Sequence, residues 1–119
     1  MGSEVTLLAN MRIKPGQADA FQGLVKQLVE VTRSEPGTLT YEYFVAEDQE
    51  SVHIIERYVD SAAAATHLQG FGTNFAKAFF ETVEPQGATV YGDPDEVVRA
   101  ILDGPNTRYL EFVDGFDRR

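Results

Sequence analysis

The sequence contains no cysteine and no tryptophan, and only two histidines. Without cysteine there is no disulfide, no thiolate nucleophile and no zinc–thiolate centre. Positive charge is also scarce: 10 Lys and Arg against 19 Asp and Glu leave a formal net charge of −9. Nucleic acids and anionic membrane surfaces carry that same sign, so both are excluded as partners. No apolar run reaches the roughly 18 residues that span a bilayer, and no basic stretch leads into a shorter apolar one. A cytoplasmic location is the expectation. Gly-rich phosphate loops, Ser-His-Asp sets, paired catalytic carboxylates and His-x-x-x-His spacing are missing as well. No metal ligand set is read from the chain.

What remains is the raw material of a globular domain. At 119 residues with 43% hydrophobic content, the chain is expected to be one domain with a sizeable core. Val5, Leu7, Ala9, Met11 and Ile13 alternate through a first strand. Pro15-Gly16 closes it, and an amphipathic helix follows over 17–33 with Phe21, Leu24, Val25 and Leu28 on one stripe. Pro36-Gly37 presets a reversal. Leu39, Tyr41, Tyr43 and Val45 then occupy every second position of a second strand. A polar hairpin over 46–51 returns the chain into a third strand over 52–59. Asp60-Ser61 is a helix N-cap signal, and the alanine-rich helix after it carries His67 and is expected to end at Gly70. Thr73 or Asn74 caps a short third helix over 75–83, which Pro85 stops, and 86–92 reads as a fourth strand. The order strand–helix–strand, strand–helix–strand predicts an α+β, ferredoxin-like βαββαβ unit with an antiparallel sheet and helices on one face.

The last 27 residues add to that unit. Asp93-Pro94-Asp95-Glu96 starts a further helix with Pro and acids in its first turn. Residues 108–113 alternate as a fifth strand, and the end from Asp114 is expected to fray. This extension either lengthens the sheet or caps a pocket. The strands themselves carry apolar residues on both faces: Phe44 opposes Tyr41 and Tyr43, and Ile55 and Val59 oppose Ile54 and Tyr58. A second apolar face on so small a unit calls for a partner sheet, most simply a two-fold homodimer.

An ordered set of short motifs resembles the antibiotic biosynthesis monooxygenase family. It comprises Lys14-Pro15-Gly16, Glu35-Pro36-Gly37 with Leu39-x-Tyr41, Glu56-x-Tyr58, Asp60-Ser61, and Ala63-x-x-x-His67-Leu68. The likeness covers residues 4–92, leaving 93–119 outside it. It implies a dimeric α/β barrel of quinol monooxygenase type that oxidises a small phenolic or quinol-like aromatic with molecular oxygen. No metal, flavin or other cofactor is implied, because the substrate anion supplies the electrons. Many relatives carry a second His where this chain has Asn74, before Phe75. Haem-degrading relatives use an axial His near the place of Phe79 and a Trp near that of His67, so haem chemistry is disfavoured here. The missing second His and Trp leave a non-catalytic ligand-binding or structural dimer of the same fold as the alternative. Asn10 sits where those relatives have a pocket Asn.

The candidates follow. Imidazole is the side chain suited to proton transfer at neutral pH, so His67 is the first catalytic candidate, with Asn10 beside it. Tyr41, Tyr43 and Tyr58 are placed to hydrogen-bond a phenolate or simply to pack, and Asn74, Phe75 and Phe79 to contact an aromatic ring. Phe71, Phe75 and Phe79 equally fit a stripe that completes the core. His53 reads as a half-exposed strand residue. Glu56 and Arg57 point to opposite faces, one of them buried in a structural ion pair.

Overall fold

The computed structural model describes residues 3–119. Nine elements follow one another: β1 (Val5–Ile13), α1 (Ala18–Arg33), β2 (Thr38–Val45), β3 (Ser51–Tyr58), α2 (Ser61–Asn74), α3 (Ala76–Thr82), β4 (Val83–Tyr91), α4 (Glu96–Leu102) and β5 (Thr107–Leu110). They build the expected α+β, ferredoxin-like arrangement. The sheet order is β2-β3-β1-β4-β5, antiparallel throughout except that β5 runs parallel to β4. The period-two pattern places Leu7, Ala9, Ile54, Glu56, Tyr58, Tyr41, Tyr43 and Val90 on the face that the helices cover.

The core on that face has two parts. Ala9, Ile13, Phe21, Leu28, Val52, Ile54, Phe79 and Val83 join β1 and β3 to α1 and α3. Val5, Leu7 and Val90, with Tyr58, Ala64 and Val98 next to them, tie the other end of the sheet to α2 and α4. Each buried Leu, Ile, Val or Phe contributes about 1.5–3 kcal/mol relative to exposure.

Three local readings need correction. Gly70 does not end α2, which continues through Gly72 to Asn74. Both glycines have open space around them, and Phe71 between them anchors the last turns by packing 5.3 Å from Phe79. Tertiary packing outweighs the roughly 1 kcal/mol cost of each helical glycine. The helix breaks instead at Phe75, which separates α2 from α3 with a φ of −129° and no side-chain cap. Third, Pro85 does not lie between helix and strand. β4 already begins at Val83, and Pro85 sits inside it where the pairing with β1 shifts register between Asn10 and Met11. A bulge is where a strand tolerates proline, since no ladder N–H is required there.

Two glycines allow the elements to close up. A Cβ on Gly37 would lie 2.5 Å from the Ala63 Cβ, so only glycine lets the start of β2 pass beneath α2. Gly92, at φ +113° and with Glu4 O where its Cβ would fall, turns the chain from β4 into the extension. The extension then both lengthens the sheet, through β5, and returns over the helix side of it.

Candidate functional site

Between the helix-covered sheet face, α2, α3 and the extension lies a cavity of about 620 Å³. Leu7, Ala9, Met11 and Ile54 form its sheet wall, and Leu68, Phe71, Phe79 and Phe80 its helix wall. This surface is predominantly apolar. One corner is not. There Glu56, Tyr41 and Tyr43 from the sheet meet His67 from α2.

That corner is built from the sequence upward. Asp60 accepts a hydrogen bond from Ala63 N at 2.8 Å and fixes the start of α2. Two turns later the helix presents His67 inward, only 4% exposed. Glu35 follows the end of α1, where its own N–H donates to Thr32 O. Its carboxylate accepts from His67 Nδ1 at 2.9 Å and from Thr38 Oγ1 at 2.9 Å. With Nδ1–H committed to Glu35, the other ring nitrogen, Nε2, faces Glu56 Oε1 at 3.6 Å. At that separation the imidazole and the carboxyl are close neighbours without a direct hydrogen bond, both shielded from water.

Glu56 is buried on an apolar strand face and also accepts from the Tyr58 hydroxyl. Burial lifts its pKa above the usual carboxylate range, while the His67 charge and the Tyr58 hydrogen bond hold it partly down. Burial likewise pushes the Tyr58 hydroxyl well up, with the Glu56 charge adding to it. Tyr41 and Tyr43 hydrogen-bond each other through their hydroxyls at 2.6 Å. Desolvation raises both hydroxyls, so they stay protonated near neutral pH. One of their two O–H groups serves the mutual bond, and the second is left to donate to a ligand oxygen. The Tyr41 ring meets the His67 ring edge-on at 5.0 Å and completes the corner.

The sequence candidates divide accordingly. His67, Tyr41, Tyr43 and Phe79 all line the cavity. Asn10 does not: it alternates with Ala9 and Met11 onto the opposite sheet face, paired with His53 and Gly87 in neighbouring strands. Asn74 is exposed, and Phe75 packs against the core at the α2–α3 junction without reaching the cavity. Phe79 is fully buried, so its ring serves core and cavity wall at once. Among the described residues no group of three or more His, Cys, Asp or Glu is placed to hold a metal ion.

Two participants, Glu35 and Glu56, escaped sequence reasoning as site residues. Glu35 left only its place in the Glu35-Pro36-Gly37 motif, since its contact with His67 joins positions 32 apart. Glu56 did leave a signal. The inward positions of β3 read Val52, Ile54, Glu56, Tyr58, and an acid in such a row must find a proton or a partner.

Comparison with known proteins fits this architecture. Residues 4–84 match the model of the antibiotic biosynthesis monooxygenase family. The chain belongs to that family. A crystal structure of an antibiotic biosynthesis monooxygenase is 31% identical, with a TM-score of 0.62 over 72% of this chain and 92% of that one. MupZ from Pseudomonas fluorescens is 22% identical with a TM-score of 0.83, over 98% of this chain and 95% of its own. SnoaB from Streptomyces nogalater, described as a cofactor-independent oxygenase, is 18% identical with a TM-score of 0.65, over 78% and 95%. The MupZ likeness therefore runs through the extension. No curated protein matches the chain.

Proposed function

We propose that the protein is a cofactor-independent monooxygenase that oxidises a phenolic or quinol-type aromatic with molecular oxygen. The observation that carries this reading is the apolar cavity with a single buried proton-accepting corner at His67 and Glu56. An aromatic ring would lie among Leu7, Ala9, Phe71 and Phe79, with its hydroxyl against that corner. The His67–Glu56 site takes the phenolic proton, and the free Tyr41 or Tyr43 O–H donates to the resulting oxyanion. The electron-rich anion then reduces oxygen. For a phenol, one oxygen atom enters the ring, the other leaves as water, and the ring supplies all four electrons on becoming a quinone. Exclusion of water by the apolar walls protects the anion and its radical from side reactions.

Family membership and the likeness to SnoaB support the same chemistry. The open cavity speaks against a purely structural role, and a buried phenylalanine at position 79 offers no ligand to haem iron. The exposed apolar residues on the far sheet face, among them Phe44 at 52% and Tyr91 at 41%, support a homodimer. Sedimentation should then show twice the 13.2 kDa chain mass, and a species of single-chain mass would count against it. A cytoplasmic location goes with the absence of cysteine and of any helix long and apolar enough to cross a membrane among the described residues.

Oxygen uptake with a panel of naphthols and quinols tests the activity. His67→Ala should lose about 10²- to 10⁴-fold in rate, as expected for removing a general base. Equal rates in both proteins, or no turnover of any substrate, would overturn the proposal.

A further inference from the structure

The extension that shorter relatives lack contributes the far end of the cavity. Ile101, Leu102, Asp103, Pro105, Asn106 and Thr107 line it there. This wall is anchored at both ends. Thr107 Oγ1 donates to Leu102 O at 2.7 Å, and Ala88 N donates to Asn106 O at 3.0 Å. Behind it Val98 and Leu102 pack under α2, and the Arg99 guanidinium lies 4.3 Å over the Tyr109 ring. Ile101 differs from its neighbours in the wall. It lines the cavity yet is 41% exposed, so it shapes the space without carrying the core.

The charge of the lining is one-sided. Glu56 stands at one end and Asp103 at the other, and no Lys or Arg lies among the lining residues. A carboxylate or phosphate entering the apolar stretch that leads to Asp103 would lose water with no Lys or Arg there to offset the cost. The volume of about 620 Å³ is also in the range that drug-sized ligands fill, well beyond a single ring.

We propose that the 101–107 wall makes this cavity selective for an uncharged polycyclic aromatic alcohol, limiting its length at Ile101 and rejecting anionic ligands. The hydroxyl lies at the His67–Glu56 corner and the distal ring against Ile101. The inference rests on reading the cavity as the site of an aromatic alcohol, but it requires no turnover.

The test is anaerobic fluorescence titration of the full chain with 2-naphthol, 2-anthrol and 2-naphthoate, with melting curves to verify folding. In the unaltered protein anthrol should bind more tightly than naphthol, and naphthoate about ten-fold or more weaker than naphthol. Ile101→Trp should weaken anthrol about ten-fold or more and naphthol by less than about three-fold, because only the longer ligand reaches the intruding ring. Ile101→Ala, which only removes contact, should cost anthrol about three-fold. Naphthoate binding as tight as naphthol, an unchanged anthrol affinity in Ile101→Trp, or no binding of either alcohol would each overturn the proposal. This binding pattern without oxygen uptake would sink the oxygenase reading alone. Uptake with a flat response at Ile101 would sink only the wall.

Discussion

Glu56 and Arg57 are neighbours in sequence and lie on opposite faces of the same strand, in opposite electrostatic worlds. Beneath the helices Glu56 is buried with His67, and burial raises its pKa. On the open face Arg57 donates to Asp117 at 2.7 Å, Asp117 also accepts from Arg119, and Arg119 reaches Glu4. There the hydrogen bonds from Arg119 lower the pKa of both Glu4 and Asp117. Glu56 and the open-face carboxylates thus shift in contrary directions, the first through burial and the others chiefly through hydrogen bonds from Arg119. Exclusion of water favours the protonated carboxyl, and neighbouring guanidinium groups favour the carboxylate.

The comparison breaks most visibly where the buried network is forced apart. Gly37→Ala places a methyl group against Ala63 and pushes the start of β2 away from α2. It should cost about 1–3 kcal/mol in chemical denaturation, as overpacking does. Because Glu35 and His67 ride on the two displaced segments, the oxygen-uptake rate should fall with it. Full stability in this variant would show that the segments are not closely coupled.

Glu56→Gln sharpens the contrast through pH. With its pKa raised above 4.5 on folding, the folded chain still holds this proton at pH values where the unfolded chain has released it. Stability contributed at this site is therefore full below pH 4.5 and is lost as pH rises through the folded-state pKa. Gln carries no such proton in either state. The melting temperature of Glu56→Gln relative to the unaltered protein should accordingly rise from pH 4.5 upward, and a difference that falls over that window would reverse the assignment. On the open face the signs are opposite, because the lowered carboxylates lose their stabilisation in acid. Arg57→Ala should have the smallest effect of all, below that of Gly37→Ala and vanishing in about 1 M salt, since exposed ion pairs are screened.

Much of this contrast is legible in the amino-acid sequence. Period-two alternation assigns Tyr41, Tyr43, Ile54, Glu56 and Tyr58 to one face, and Asp60 marks the start of the helix that carries His67. What alternation does not supply is the partner across the fold. Glu35 meets His67 only because Gly37 lets two segments approach, a tertiary event without local signature. Asn10 shows the complementary limit. A resemblance places a residue approximately along a strand, and a shift of one position moves it to the other face. Pro85 and Gly70 read as stops because their local cost is real, yet a bulge absorbs the first and the Phe71 anchor outweighs the second. Asn74 and Phe75 miss the cavity although Phe71, Gly72 and Ala76 on either side of them line it, because Asn74 faces solvent and Phe75 packs into the core.

The most direct test sets the two neighbours against each other in one assay. Oxygen uptake on a turned-over naphthol is measured for the unaltered protein, Glu56→Gln and Arg57→Ala. The account predicts a loss of about hundred-fold or more for Glu56→Gln, the scale of a lost acid–base group, and a rate within about two-fold for Arg57→Ala. Unchanged turnover in Glu56→Gln, or an equal loss in both variants, would contradict it.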